Sequence, residues 1–295
     1  MQNILSLFEY QFFQNALMAA ILTSALAALV GTYIVSRKVV FISGGITHAS
    51  FGGIGIAYFF GLNPFLGAVA FAIASSLGIE WISTHGKIRE DSAIAILWSL
   101  GMALGIIFVF LTPGYTPNLM SFLFGSILSV GMADIIVLAV VLLFTSLFFV
   151  IFSRPIVYTA FDPEFARTRG LPVTLIRNSM AILVAIAIVL SIRVMGIILV
   201  LSIFTIPQNT ALLFSGKFSG IIKGSVLFGI SGSILGLITA SIFDIPGSAA
   251  IIFVLTLQFL ISKGVAIILR KRKKTRKSSA TGEEKNSIHE PHIKE

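Results

Sequence analysis

The chain has 295 residues, of which 56% are hydrophobic and only 11% are charged, and its mean hydropathy is +1.00. A soluble domain of this length needs a much larger charged fraction to cover its surface, so the composition excludes a soluble globular protein. The net charge of +9 fits basic cytoplasmic loops beside anionic lipid, and we expect no nucleic-acid partner. The chain has no cysteine, which excludes disulfides and thiolate metal sites.

Long apolar runs predict an all-α bundle of about eight or nine membrane-spanning helices. A run of roughly 18 apolar residues or more is long enough to cross a bilayer. With Arg37 and Lys38 placed inside, the N-terminus lies outside, and of the flanking basic residues only Arg193 clearly falls on the outer side. The nearly continuous apolar stretch 176–214 leaves the exact number of spans open. The candidate spans are residues 13–35, 39–60, 65–84, 93–112, 133–152, 176–192, 194–214, 220–243 and 248–269.

Other segments are not simple spans. Residues 118–130 are apolar but too short to cross, which predicts either an interfacial or re-entrant helix on the outer face or an ordinary helix of an external loop. Pro207 and Pro246 are expected to break or kink their helices. Residues 1–269 therefore form the transmembrane domain, and the basic tail 270–295 is expected to be a disordered cytoplasmic segment.

The cytoplasmic loop 154–173 contains the signals of one short helix. Asp162 can cap it, Pro163 suits its first position, and Glu164 favours the positive end of its dipole. Arg167 suits the negative end, and Gly170 fits the position just after the helix. Such a helix can dock a soluble partner; the alternative is a surface helix lying on lipid, which its charges of both signs make less suitable.

The glycine-rich run 43–53, SGGITHASFGG, places His48 in the middle of an apolar span. A polar run at membrane depth is costly unless it lines a cavity or packs against protein. Neutral imidazole can bind zinc, manganese or iron, and one weak ligand suits a site that must release its ion. The alternative is a packing histidine that is hydrogen-bonded to a neighbouring carbonyl.

Other chemistries lack their motifs. No GxxxxGK[ST] sequence occurs, so the chain does not hydrolyse ATP by that route, and no protease or hydrolase motif stands out. Glu80, Asp134 and Asp244 lie near the ends of their spans, so His48 is almost alone at depth. A proton-coupled carrier normally has several acidic or histidine residues there. The pattern favours a permease that is driven by a separate engine.

The chain resembles the metal-type ABC importer permeases, the membrane subunits of zinc, manganese and iron uptake systems. The similarity runs through most of residues 13–269. Six ordered matches carry it: ISGGITHASFGG, SAIAILWSLGMALGI, SFLFGSIL, FDPEFARTRGLPV, RVMGIILVLSIFTIP and FDIPGSAAII.

The resemblance implies a type II ABC importer fold in a prokaryotic cytoplasmic membrane, with two permease chains side by side. Each chain would dock a cytoplasmic ATPase, and a binding protein would deliver the ion from outside. The permease would then be a transport subunit and not an enzyme, with no cofactor of its own and a divalent metal ion as its cargo. The helix around residues 162–170 would be the coupling helix that enters a groove of the ATPase.

One departure from the family pattern concerns the metal site. The family's motif usually has an Asp four residues before the His and a proline after it, whereas here these positions are Gly44 and Gly52. The ligand carries over to His48 without its carboxylate, and Asp244 is a speculative replacement from another helix. We expect a permease for zinc or manganese, with iron also possible. The alternatives are a permease for an iron chelate or corrinoid and, in a different class, a proton-coupled secondary metal carrier.

Overall fold

The computed structural model describes residues 9–86, 88–113 and 127–287. For residues 128, 270 and 272–287 it describes the backbone only. Within these ranges the chain is helical and has no strand. The helix predicted over 118–130 falls mainly on residues outside the described ones, and the part that is described forms a 3₁₀ turn at Ile127–Ser129.

Twelve α-helices follow one another through the described residues. They are α1 (Gln11–Ser36), α2 (Phe41–Phe59), α3 (Pro64–His85), α4 (Glu90–Leu111), α5 (Met132–Ile151), α6 (Ser153–Phe161), α7 (Pro163–Thr168), α8 (Val173–Met195), α9 (Ile197–Ile203), α10 (Ile206–Leu212), α11 (Phe218–Phe243) and α12 (Gly247–Ser287).

Seven of the described helices are long and apolar enough to cross a membrane: α1, α3, α4, α5, α8, α11 and the Gly247–Leu269 part of α12. The other two predicted spans differ for physical reasons. Helix α2 has the length but carries glycines, hydroxyl residues and a histidine, which lower its hydropathy. The predicted span 194–214 is two short helices, α9 and α10, which meet at Thr205 because Pro207 lies in the first turn of α10. The expected break at Pro207 is therefore present, and Pro246 likewise lies between α11 and α12.

The boundary at residue 269 between the transmembrane domain and a disordered cytoplasmic tail stays a prediction. Helix α12 continues past the apolar part into the basic residues and ends at Ser287. Lysine, arginine and glutamate are good helix formers, and no proline occurs between residues 247 and 290 to stop the helix.

Helices α1 and α8 form the centre of the bundle. Their apolar segments are each 67% buried, whereas those of α4, α5 and α12 are between 17% and 22% buried. A helix that is apolar and buried all round belongs to the interior, so the less buried helices form the periphery.

Ion pairs lie at both ends of the bundle. Arg193, at the end of α8, is 2.8 Å from Asp134 at the start of α5, and its guanidinium lies 4.8 Å from the centre of the Phe65 ring. All three residues belong to the predicted external side. The other ion-paired cluster, described below, joins the predicted cytoplasmic ends.

Candidate functional site

Helix α2 packs unusually closely against α3 and α4, and glycines make this possible. A Cβ atom at Gly52 would lie 2.8 Å from the carbonyl oxygen of Gly101 on α4. Gly53 faces the backbone of Gly67 on α3 in the same way, and a Cβ atom there would overlap it. Small residues at such spacing let helix backbones approach one another, so the glycines fix the position of α2.

His48 lies in the middle of α2 and is half-buried. Its imidazole is stacked on the ring of Trp98 from α4, with the ring centres 4.4 Å apart and the planes 4° from parallel. Neither ring nitrogen has a hydrogen-bond partner in the part of the chain that the structure describes. The hydrogen bond to a neighbouring carbonyl that a packing histidine would make is therefore not found there.

The position one turn before His48 has room for a side chain. A Cβ atom at Gly44 would meet Leu201 at 3.6 Å and Trp98 at 3.8 Å, which are ordinary van der Waals distances. Packing therefore does not demand glycine at position 44. The nearby hydroxyls are already engaged on their own helix, since Thr47 donates to the Ser43 carbonyl at 2.6 Å and Ser50 to the Thr47 carbonyl at 2.7 Å.

The structure does not bring Asp244 to His48. Asp244 is exposed and ends α11 in a left-handed conformation with a φ of 53°. Helix α11 packs on α1, α10 and α12, whereas α2 packs on α3, α4, α8 and α9. In the described ranges, no group of three or more histidine, aspartate or glutamate residues could hold a metal ion.

The predicted cytoplasmic helix is present as α7. The Asp162 carboxylate accepts a hydrogen bond from the Phe165 amide at 2.9 Å, and Pro163 is the first helical residue. The Glu164 and Arg167 side chains pair at 2.7 Å on the exposed surface. Gly170, with a φ of 72°, donates its N–H to the Arg167 carbonyl at 2.9 Å and so ends the helix. The cap and the termination that the sequence predicts are both formed.

A cluster of four charges that sequence reasoning missed joins the cytoplasmic ends of α1, α3, α4 and α8. Arg177 is 2.6 Å from Glu80 and 2.9 Å from Glu90, and Arg37 bonds to both carboxylates. The Glu80 and Arg37 side chains are only 5% and 8% exposed. Burial alone lowers the pKa of the Arg37 guanidinium, but Tyr33, Glu80 and Glu90 raise it above its ordinary value, so Arg37 stays charged.

This charge cluster lies beside a cleft of about 470 Å³ that also reaches α7. Glu80 and Arg177 line it from α3 and α8, and Arg167 lines it from α7. The wall also contains Trp81, whose indole stacks on the exposed His85 ring with the centres 5.7 Å apart. The buried cluster is therefore adjacent to the helix that the sequence predicts as a docking element. Sequence spacing gave no sign of this, because its members come from four separate helices.

Comparisons with known proteins agree along the whole bundle. The profile of the family described as "ABC 3 transport family" matches residues 9–266. The manganese transport system membrane protein MntC of Halalkalibacterium halodurans is 31% identical over 281 residues, covering 93% of this chain and 96% of that protein. The manganese import system permease protein ScaB of Streptococcus gordonii is 31% identical, with 89% and 94% covered. Among solved structures, PsaBC from Streptococcus pneumoniae in complex with Fab matches with a TM-score of 0.77 at 30% identity, covering 88% of this chain and 94% of that one.

Proposed function

The chain belongs to the ABC 3 transport family as a multi-pass permease of the cytoplasmic membrane, and we propose that it imports manganese in preference to zinc or iron. The relatives that are named for manganese align with about nine-tenths of both chains, so the similarity covers the whole membrane domain. The absence of cysteine also removes the soft thiolate ligands that favour zinc and copper.

The observation that carries this proposal is the state of His48. Its imidazole is half-buried at membrane depth, and both nitrogens are without a hydrogen-bond partner in the described residues. Accessible, unpaired ring nitrogens in the middle of an apolar bundle are free to bind an ion, which favours a functional role over a packing role. We assign His48 as a transit ligand, with Trp98 holding the ring in place. One imidazole binds the ion weakly enough for release, and Asp244 stays a prediction as a further ligand.

Transport needs an energy source that this chain lacks. No phosphate-binding P-loop occurs in the sequence, so ATP would be hydrolysed by a separate cytoplasmic subunit. We propose that α7, with Asp162, Pro163, Glu164, Arg167 and Gly170, docks that subunit, and that the adjacent cleft transmits its movement to α3 and α8. A binding protein outside would deliver the ion.

A second permease copy completes the proposed assembly. Helix α4 carries Trp98 and is the least buried of the seven apolar spans, with Ile96, Leu100 and Phe110 exposed. An apolar face beside a half-buried ligand suits a pathway that lies between two chains.

The experiment is uptake of radiolabelled manganese in cells that lack other manganese importers and that co-express the chain with its ATPase and binding protein. His48→Ala should lower the initial rate by on the order of tenfold or more, since loss of even an outer-shell partner costs a metal site about 10–100-fold. His289→Ala is the matched control, because His289 belongs to the predicted cytoplasmic tail beyond the family match of residues 9–266, and it should transport normally. Wild-type uptake by the His48 variant at limiting manganese would assign His48 to packing and remove the proposed site.

A further inference from the structure

A second cavity of the molecule is an apolar groove at the predicted cytoplasmic side. It is lined by α1, α5, α6 and α11, which are not among the helices that pack most closely on α2. Helices α5 and α11 both pack on α1 rather than on each other, and this leaves a gap of about 610 Å³ between them, with α1 as its floor. The apolar lining residues are Leu29, Phe149, Val150, Val157, Phe218 and Ile222. The groove is large enough for a stretch of hydrocarbon chain.

On the predicted topology, the groove lies in the inner half of the bilayer and opens toward lipid. Apart from Leu29 of α1, its lining residues come from the last turns of α5, from α6 and from the first turns of α11, all of which lie next to the predicted cytoplasmic loops. Val150 is 75% exposed, and Phe144 and Leu147, which precede it on α5, are exposed as well. Apolar side chains that are exposed at this depth contact lipid.

Basic residues are the immediate sequence neighbours of several residues that line the groove. Arg154, Lys217 and Lys223 each follow or precede a lining residue, and all three are exposed. None of them forms an ion pair with an acidic residue of the described ranges. Helices α1, α6 and α11 contain no aspartate or glutamate, and the only acid of α5 is Asp134 at its outer end. The helices that line the groove therefore carry positive charge at their predicted cytoplasmic ends that no acidic residue of the same helices balances.

We propose that this groove binds one anionic phospholipid of the cytoplasmic leaflet. An acyl chain lies on the floor formed by α1, and the phosphate lies at the basic mouth, where the hydroxyls of Ser153 and Ser219 can donate hydrogen bonds. The bound lipid fills the gap between α5 and α11 and so supports the helix that leads into α6 and α7.

The same charges disfavour a second copy of the chain as the occupant. A two-fold interface brings the same patch of both copies together, so two basic mouths would face each other and repel. Anionic headgroups are the abundant partner of opposite sign at this leaflet, and each basic residue near the surface strengthens their binding about fivefold.

The test is native mass spectrometry of the purified full-length chain, titrated with dioleoyl phosphatidylglycerol or with dioleoyl phosphatidylcholine. We expect one phosphatidylglycerol to stay bound with about tenfold or greater preference over phosphatidylcholine. Lys217→Gln should weaken this binding about fivefold, whereas Lys263→Gln, a matched exposed lysine of α12 outside the groove, should leave it unchanged.

A second pair of variants tests the groove itself without a change in charge. Ser146→Trp fills the groove and should abolish retention of the lipid, while Leu227→Trp, at an exposed apolar position of α11 outside it, should not. Equal binding of both lipids, or equal losses in the two lysine variants, would overturn the proposal. A shift from dimer to monomer in Ser146→Trp without loss of lipid would assign the groove to a second copy instead.

Discussion

At the scale of single residues, Glu80 is the most consequential side chain outside the pathway. Its carboxylate lies between Arg37 and Arg177, and the pairing continues to Glu90, so two positive and two negative charges balance in a buried place. Taking a charge out of water costs several kcal/mol, and only close pairing offsets that cost. The cluster therefore holds four helices together as long as it stays complete.

We predict that Glu80→Gln leaves the two guanidinium groups with one carboxylate and destabilises the protein by about 3–5 kcal/mol. The measurement is the thermal unfolding midpoint of the protein in detergent. Asp91→Asn is the matched control, because Asp91 forms an exposed pair with Arg89 at 3.2 Å and its loss should cost about 1 kcal/mol or less. Equal shifts in the two variants would show that the buried cluster contributes no more to stability than the exposed pair does.

Sequence reasoning was uneven at this scale, for a physical reason. The Asp162 cap and the Gly170 termination depend on neighbours within a few residues, so local spacing predicts them, and both are formed. The Arg37, Glu80 and Arg177 contacts depend on how α1, α3 and α8 pack, and no local pattern encodes that. The same limit explains why the stacking of His48 on Trp98 was not predicted.

At the scale of elements, α2 shows two kinds of glycine. Gly53 touches the backbone of α3 and leaves no space for a Cβ atom, whereas a Cβ atom at Gly44 would meet only side chains, at 3.6 Å and 3.8 Å. The first kind maintains helix packing, and the second only leaves a space beside His48.

The matched pair Gly53→Ala and Gly44→Ala tests this distinction. Gly53→Ala should force α2 away from α3 and destabilise the protein by about 1–3 kcal/mol, the usual cost of overpacking. Gly44→Ala should change the unfolding midpoint little and transport like the wild type. A tolerated Gly53→Ala, or a Gly44→Ala as harmful as it, would contradict the packing of α2 described above.

Helix α7 is the second decisive element. Exchanging its exposed pair, as Glu164→Arg with Arg167→Glu, keeps opposite charges three residues apart but inverts the charges that the helix presents, and the reversed helix dipole costs about 0.3–1 kcal/mol per residue. We predict that co-purification of the ATPase falls at least tenfold in this variant, because like charges placed opposite each other at an interface cost several kcal/mol and ~1.4 kcal/mol already corresponds to tenfold.

The control for that prediction is the corresponding exchange of the exposed Arg89–Asp91 pair, which lies at the start of α4 and should leave ATPase binding intact. If the α7 exchange also left ATPase binding and uptake unchanged, α7 would not be the docking helix.

At the scale of the whole molecule, the sequence predicts the class well and the number of spans only approximately. Apolar length and charge alternation identify the seven apolar spans. Helix α2 is less apolar than the seven spans because it contains the glycines that pack it closely, several polar residues and His48. Helices α9 and α10 divide one predicted span at a proline. The two deviating segments, α2 and the α9–α10 pair, are therefore those in which glycines, polar residues or a proline interrupt the apolar run. One of them, α2, carries the candidate ligand.

The central claim is that this permease moves manganese by using the ATPase of a partner. The most direct measurement is metal uptake into proteoliposomes that contain the chain and its ATPase subunit, with the binding protein added outside the vesicles. Manganese, zinc and ferrous iron are measured in parallel. We predict uptake that needs ATP and that favours manganese by about tenfold, or ~1.4 kcal/mol, over the other two ions. Uptake that is driven by a proton gradient without ATP, or that favours zinc or iron, would contradict the account.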